Sequence, residues 1–235
     1  MSPSKRSTPE NLQVLFEDNH LLVVSKRPGD IVQGDQTGDT PLSEVAKAYL
    51  KAKYEKPGRV FLGVVHRLDR PTSGILVFAR TSKALSRMNA LFKAKEVRKT
   101  YWALVSSPPP AASGKLVHWL QRNPKQNKSY AFEKEGPNRK KAVLNYRLLK
   151  SLDRYYLLEV DLETGRHHQI RAQLAAIGCS IRGDLKYGAP RSNPDGSIHL
   201  HARYLEFMHP VRKTPVKITA PPPEDPLWEA CMEGS

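Results

Sequence analysis

FLGVVHRLDRPTSGILVFA, residues 61–79, sets two apolar runs on either side of a polar knot. The runs FLGVV (61–65) and GILVFA (74–79) are short and β-prone, which reads as two buried strands. The knot between them, HRLDRPTS (66–73), then sits in a loop between strands, a common mount for chemistry. Asp69 stands between Arg67 and Arg70, with His66 before it and Thr72-Ser73-Gly74 after it. Cationic neighbours favour an ionised carboxylate, so Asp69 suits a nucleophile or a general base. A salt bridge at a strand end would leave the same pattern.

Outward from this knot the chain alternates short strands with a few helices. LQVLFEDNHLLVVSKRPG predicts strands at about 12–16 and 20–25, turning at Asp18-Asn19 and ending at Pro28-Gly29. Thr40-Pro41 opens a helix over about 41–54, and Thr81 or Ser82 caps another over about 83–94. A strand is expected at about 99–105, then the connector SSPPPAAS (106–113), then strands at about 114–119, 141–149 and 155–163. GRHHQIRAQLAAIG places Ile170, Leu174 and Ile177 on one helical face and stops at Gly178. Strands at about 198–207 and 214–219 close the series. Strands joined largely by hairpins predict an α+β fold on a mixed, mainly antiparallel β-sheet with flanking helices. The expected organisation is a flexible tail over 1–10, one catalytic domain over 11–222 and a Pro-rich tail over 223–235.

The 235 residues include 38 Lys and Arg against 23 Asp and Glu, a net charge of +15 that attracts polyanions. Two cysteines far apart, Cys179 and Cys231, form no zinc or redox motif. No apolar stretch is long enough to cross a bilayer, and the first residues lack a secretory signal's apolar segment, so a cytoplasmic protein is expected.

Two further clusters carry potential chemistry. TGRHHQIR (164–171) leads a glycine turn into a helix start where Arg166 and Arg171 offer forked donors to phosphate or carboxylate. RKTYWALV (98–105) puts Tyr101 beside cations, where a ring can stack on a base. A solvated helix start and a half-buried strand tyrosine would explain both equally well.

Taken together, HRLDRPTSGILVFA (66–79), KTYWALV (99–105), TGRHHQIRAQLAAIG (164–178), IRGDLKYG (181–188) and LHARYLEFMHP (200–210) resemble, in order and approximate spacing, the RluA-type RNA pseudouridine synthases. The opening hairpin is similar too, so the resemblance runs from about residue 12 to 220. It implies conversion of uridine to pseudouridine in rRNA or tRNA, with no cofactor and no metal. Asp69 matches the catalytic aspartate, Tyr101 the tyrosine that stacks on the base, and Arg171 the arginine paired with the catalytic carboxylate. Ile170 matches a pocket-lining residue and Arg67 a residue that fills the space of the extruded base. His66, Thr72, Ser73 and Gly74 look like scaffold for the loop, with His66 and Arg166 near the substrate. Gln173 departs from the histidine of many members, and the S4-like module of many relatives is not expected. The partner implied is RNA, with neither DNA nor membrane, and a monomer.

Two other readings fit the same residues. Histidines 66, 167, 168, 199 and 201 with Asp69 and Asp184 could suggest a metal-dependent hydrolase, although no compact ligand motif is present. An RNA-binding or ribosome-assembly module that has lost its chemistry would share the fold.

Overall fold

The computed structural model describes residues 6–233; half of the expected amino-terminal tail, residues 1–5, lies outside them. Two units form, one from the chain up to Arg98 with Ala202–Pro222, the other from Lys99–His201 with the chain from Pro223.

In the first unit, β1 (Val14–Glu17) and β2 (Leu21–Lys26) make an antiparallel hairpin. Asp18 Oδ1 accepts the N–H groups of His20 at 2.7 Å and Leu21 at 2.8 Å, which turns the chain where the Asp18-Asn19 pair predicted. Helix α1 (Leu42–Lys53) follows, then the two-residue β3 (Gly63–Val64) and β4 (Ser73–Ala79). Strand β4 is buried along its whole length and pairs antiparallel with both β2 and β3. Its continuous SGILVFA run is what a strand covered on both faces requires.

Helix α2 (Ser82–Ala94) starts at Thr81, whose hydroxyl accepts the Ala84 N–H at 3.1 Å. The late strand β10 (Leu200–Met208) neighbours β4, and β11 (Pro215–Thr219) pairs antiparallel with β10. Gly74 admits that neighbour: its φ is +109°, and a Cβ there would lie 2.3 Å from the Ala202 carbonyl oxygen. Residues 6–10 are not loose against this unit. Ser7 is buried, and its N–H and hydroxyl donate to the Asp30 carboxylate at 3.1 and 2.6 Å.

The second unit carries antiparallel strands in the order β5 (Arg98–Val105), β9 (Tyr156–Leu162), β8 (Lys140–Ser151), β6 (Ser113–Asn123) and β7 (Lys128–Phe132). Alternating apolar residues of β5, β8 and β9 pack with Ile170 and Leu174 of α3 (Gln169–Ala176) into one core. The β6–β7 hairpin goes beyond the strand expected at about 114–119: β6 runs on to Asn123, and β7 was not expected.

Within the stretch expected as a carboxy-terminal tail lies α4 (Pro226–Met232). Asp225 accepts the Leu227 and Trp228 N–H groups, and Trp228 and Cys231 are buried with Leu104 and Leu157. Asp225 also receives a 3.0 Å contact from His199 Nε2. Both cysteines are buried free thiols, and burial pushes the Cys231 thiol up to about 11. The α+β class and the mainly antiparallel pairing are as the sequence predicted, and no helix among the described residues is long and apolar enough to cross a membrane.

Candidate active site

The polar knot is the loop between β3 and β4, as the sequence predicted. The Thr72 N–H donates to the Asp69 carbonyl at 3.0 Å, closing a tight turn over Arg70-Pro71. The Gly29 N–H donates to the Arg70 carbonyl at 2.9 Å, tying the turn to the segment after β2. Beneath it lies Lys26, whose Nζ donates to the carbonyls of Arg27 at 3.0 Å, Arg70 at 3.0 Å and Thr72 at 2.7 Å. Three acceptors match the three hydrogens of an ammonium. Burial acts against that charge and brings Lys26 down to about 7, with Asp30 and Asp69 pulling the other way. Asp69 therefore sits half-buried on a backbone fastened from inside the unit.

Around Asp69 the other knot residues divide between support and surface. His66 Nε2 accepts the Val77 N–H at 3.1 Å and its ring stacks on Phe92, so this imidazole braces β4. Arg70 pairs with Asp39, which Arg6 also reaches. Arg67 is exposed at the rim.

The second unit holds the remaining sequence-derived residues. Tyr101 lies on β5 opposite Val160 of β9, half-buried against the core that contains Ile170. Its neighbour Lys99 is lowered by burial. The turn into α3 is pinned by Gln169, whose Oε1 accepts from the Thr164 hydroxyl at 2.8 Å and the Arg166 N–H at 3.0 Å. Arg166 is exposed and donates through Nε to the Lys141 carbonyl at 3.1 Å.

Gln173 is fully buried and bonds to the Leu116 and Ala142 carbonyls and to His118, fastening α3 to β6 and β8.

Arg171 is buried on α3. Its Nε donates to Asp184 Oδ2 at 2.7 Å and its Nη2 to Asp184 Oδ1 at 2.8 Å, a forked pair. The guanidinium also lies 5.0 Å over the Tyr187 ring. Lys26, Asp184 and Tyr187 were not singled out for these positions by sequence reasoning. A lysine ending an otherwise apolar strand (LLVVSK) and an aspartate between glycine turns (RGDLKYG) were the available signals. The histidines considered as metal ligands have other engagements: His167 with Ser129 and Asn127, His168 with Tyr187, and His199 with Asn193 and Asp225.

The described geometry defines a pseudouridine synthase-like α+β fold. The solved structure of human RNA Pseudouridylate Synthase Domain Containing 4 matches it with a TM-score of 0.77 at 24% identity, covering 93% of this chain and 91% of that one. Human RNA Pseudouridylate Synthase Domain Containing 1 matches with a TM-score of 0.73 at 25% identity, covering 97% and 90%. Ribosomal large subunit pseudouridine synthase D of Xylella fastidiosa is 34% identical over 227 residues, which is 91% of this chain and 67% of that protein. The family model for RNA pseudouridylate synthase matches residues 20–176. The chain belongs to the RNA pseudouridylate synthase family, on its RluA-type branch, and is an isomerase of RNA.

Proposed function

We propose that the chain converts uridine to pseudouridine in large-subunit rRNA or tRNA with Asp69 as the catalytic carboxylate, residues 11–222 acting as the catalytic module. The observation that carries this reading is the Asp69 turn hung on the buried Lys26 ammonium, since a reacting carboxylate must be held still. The name of the Xylella fastidiosa relative supports an rRNA substrate.

In the reaction the N1–C1′ bond breaks, the uracil turns, C5 joins C1′ and the C5 proton leaves. No electron enters or departs, so the chemistry calls for no cofactor. Asp69 starts it by attacking the nucleotide or by taking a sugar proton. Arg171 supports that carboxylate, Tyr101 stacks on the base, and Ile170 lines the pocket. A base in a helix cannot reach such a carboxylate, so the uridine is flipped out at a cost of a few kcal/mol, with Arg67 filling the space it leaves. Arg166 meets phosphate, and His66 keeps the loop in place from beneath. The protein acts as a cytoplasmic monomer.

The test uses rRNA and tRNA transcripts tritiated at uridine C5. Tritium release by the intact protein, with none from Asp69→Asn at RNA affinity within a few-fold, is the expected result. Equal loss of release and of binding in Asp69→Asn would show a structural aspartate instead.

A further inference from the structure

RGDLKYG, residues 182–188, joins α3 to the β6–β7 hairpin. Three of its side chains, Asp184, Lys186 and Tyr187, reach other elements of the same unit. Asp184 grips Arg171 of α3 through both carboxylate oxygens, the aspartate 1% and the arginine 5% exposed. Lys186 Nζ donates to the carbonyls of Gln126 at 3.0 Å and Asn127 at 3.1 Å, the turn of the β6–β7 hairpin. The Tyr187 hydroxyl accepts the Ser129 N–H at 2.8 Å and donates to the Ser129 carbonyl at 3.1 Å, while its ring lies under Arg171.

The backbone is shaped for this reach. Gly183 has φ +89°, and a Cβ there would come within 2.7 Å of the Ser197 carbonyl oxygen. The Leu185–Tyr187 3₁₀ turn ends at Gly188, also left-handed at φ +93°. Between these glycines the Asp184 carbonyl accepts the N–H groups of Tyr187 and Ala189, each at 3.0 Å. Asp184 and Tyr187 are therefore presented by a short segment with little freedom.

A forked pair fixes a guanidinium in plane and direction, because two parallel donors leave no rotation about the contact. The edge of Arg171 opposite Asp184 is thereby aimed. The β6–β7 hairpin carries the exposed cations Arg122 and Lys125 and the exposed ring of Tyr130, a surface suited to RNA backbone and bases. One segment holds both the aimed arginine and this basic hairpin.

We propose that Asp184 and Tyr187 are positioning residues, Asp184 setting the direction of Arg171 for the isomerisation and the Tyr187 hydroxyl setting the hairpin for RNA docking. This rests on the reading of Arg171 as the support of Asp69. Misplacement by about 1 Å is enough to lower turnover about 100-fold.

The test is tritium release from the rRNA transcript under single-turnover and saturating conditions, together with the ¹H–¹⁵N signal of the Arg171 Nε–H group. Asp184→Asn is expected to lower kcat about 100-fold with KM within about 3-fold and an unchanged circular dichroism spectrum. Asp184→Glu restores part of kcat, and Tyr187→Phe, which keeps the ring, raises KM more than it lowers kcat. A folded Asp184→Asn with wild-type kcat overturns the proposal. If that variant does not fold, Asp184→Glu decides in the same way, wild-type kcat being the overturning result. No release by the wild-type protein from any RNA would count against the isomerase reading of Arg171. The Nε–H signal then judges the clamp alone: it is expected to shift or broaden in Asp184→Glu, and an unchanged signal overturns it.

Discussion

Lys26 Nζ donates to the Thr72 carbonyl across 2.7 Å although 46 positions separate them in the chain. The same ammonium reaches the Arg70 carbonyl, so both sides of Pro71 are suspended from one side chain. Replacing it by methionine removes a buried charge and the ammonium donor of the Thr72 carbonyl, while the Arg70 and Arg27 carbonyls keep only the Gly29 and Asp30 N–H groups. Lys26→Met is expected to destabilise the protein by about 2–3 kcal/mol in urea unfolding, since each unmet buried acceptor costs about 1–3 kcal/mol and the lost charge offsets part of that. Activity is expected to fall further than the folded fraction, because the Asp69 turn loosens first; a loss that merely tracks folding would count against this.

The same lysine gives the enzyme a pH dependence whose sign differs between stability and turnover. Burial lowers Lys26 from 10.5 to about 7, so between those values the unfolded chain keeps a proton that the folded chain releases. This group therefore adds stability as pH rises through that window, and its burial penalty is fully present below it. Turnover moves the other way, since a neutral amine has two hydrogens for three carbonyls. Between about pH 6.5 and about pH 9, kcat is expected to decline while the urea midpoint does not fall on this account. A flat kcat across that range, measured with the midpoint in parallel, would sink the idea.

Gly74→Ala is expected to cost at least about 3 kcal/mol, enough to send much of the protein to the insoluble fraction. The added methyl would strike the Ala202 backbone, and φ at this position is +109°. Gly38→Ala is the matched control: φ there is +73° with nothing within 4 Å of a Cβ, so only about 1 kcal/mol of conformational cost is expected. Thermal melts of the two variants separate close approach from backbone preference.

Trp228→Ala should lower stability by about 3–5 kcal/mol, the usual cost of emptying a large buried aromatic site. Trp228 is buried with Leu104 and Leu157, so α4 contributes to the second unit's core. Calorimetry would show a lowered main transition. A main transition left in place would mean that α4 unfolds by itself.

Charge reversal at Lys140 and Lys141, both exposed on β8, is expected to weaken RNA binding without selecting among sequences. Each phosphate contact removed flattens the slope of log affinity against log salt by about 0.7–0.9. Titrations at several salt concentrations measure that slope. An unchanged slope would place the RNA elsewhere on the surface.

Much of this architecture was legible in the sequence where one residue type had one physical reason to be present. Apolar runs either side of HRLDRPTS identified β4 and the loop holding Asp69, and the Asp18-Asn19 turn located the first hairpin. Strand β7 escaped because KSYAF buries its serine, Ser129, and exposes the Tyr130 ring, the reverse of a half-buried strand's usual pattern. Helix α4 escaped because a proline-rich stretch hid a sound start signal, Asp225 capping and Pro226 in the first turn. Arg171 could be matched to a carboxylate, but its grip by Asp184 depends on a glycine-flanked turn thirteen residues later. Side-chain reach of that kind leaves no periodic trace.

The buried state of Cys179 and Cys231 has a practical yield at the bench. The thiolate is the nucleophile in alkylation, and burial holds both thiols in their protonated form, Cys231 up at about 11. Maleimide chemistry at neutral pH will pass over both native positions. A single cysteine placed at Lys125 on the hairpin turn can then carry a fluorophore in an otherwise wild-type enzyme, and its emission will report RNA docking separately from turnover.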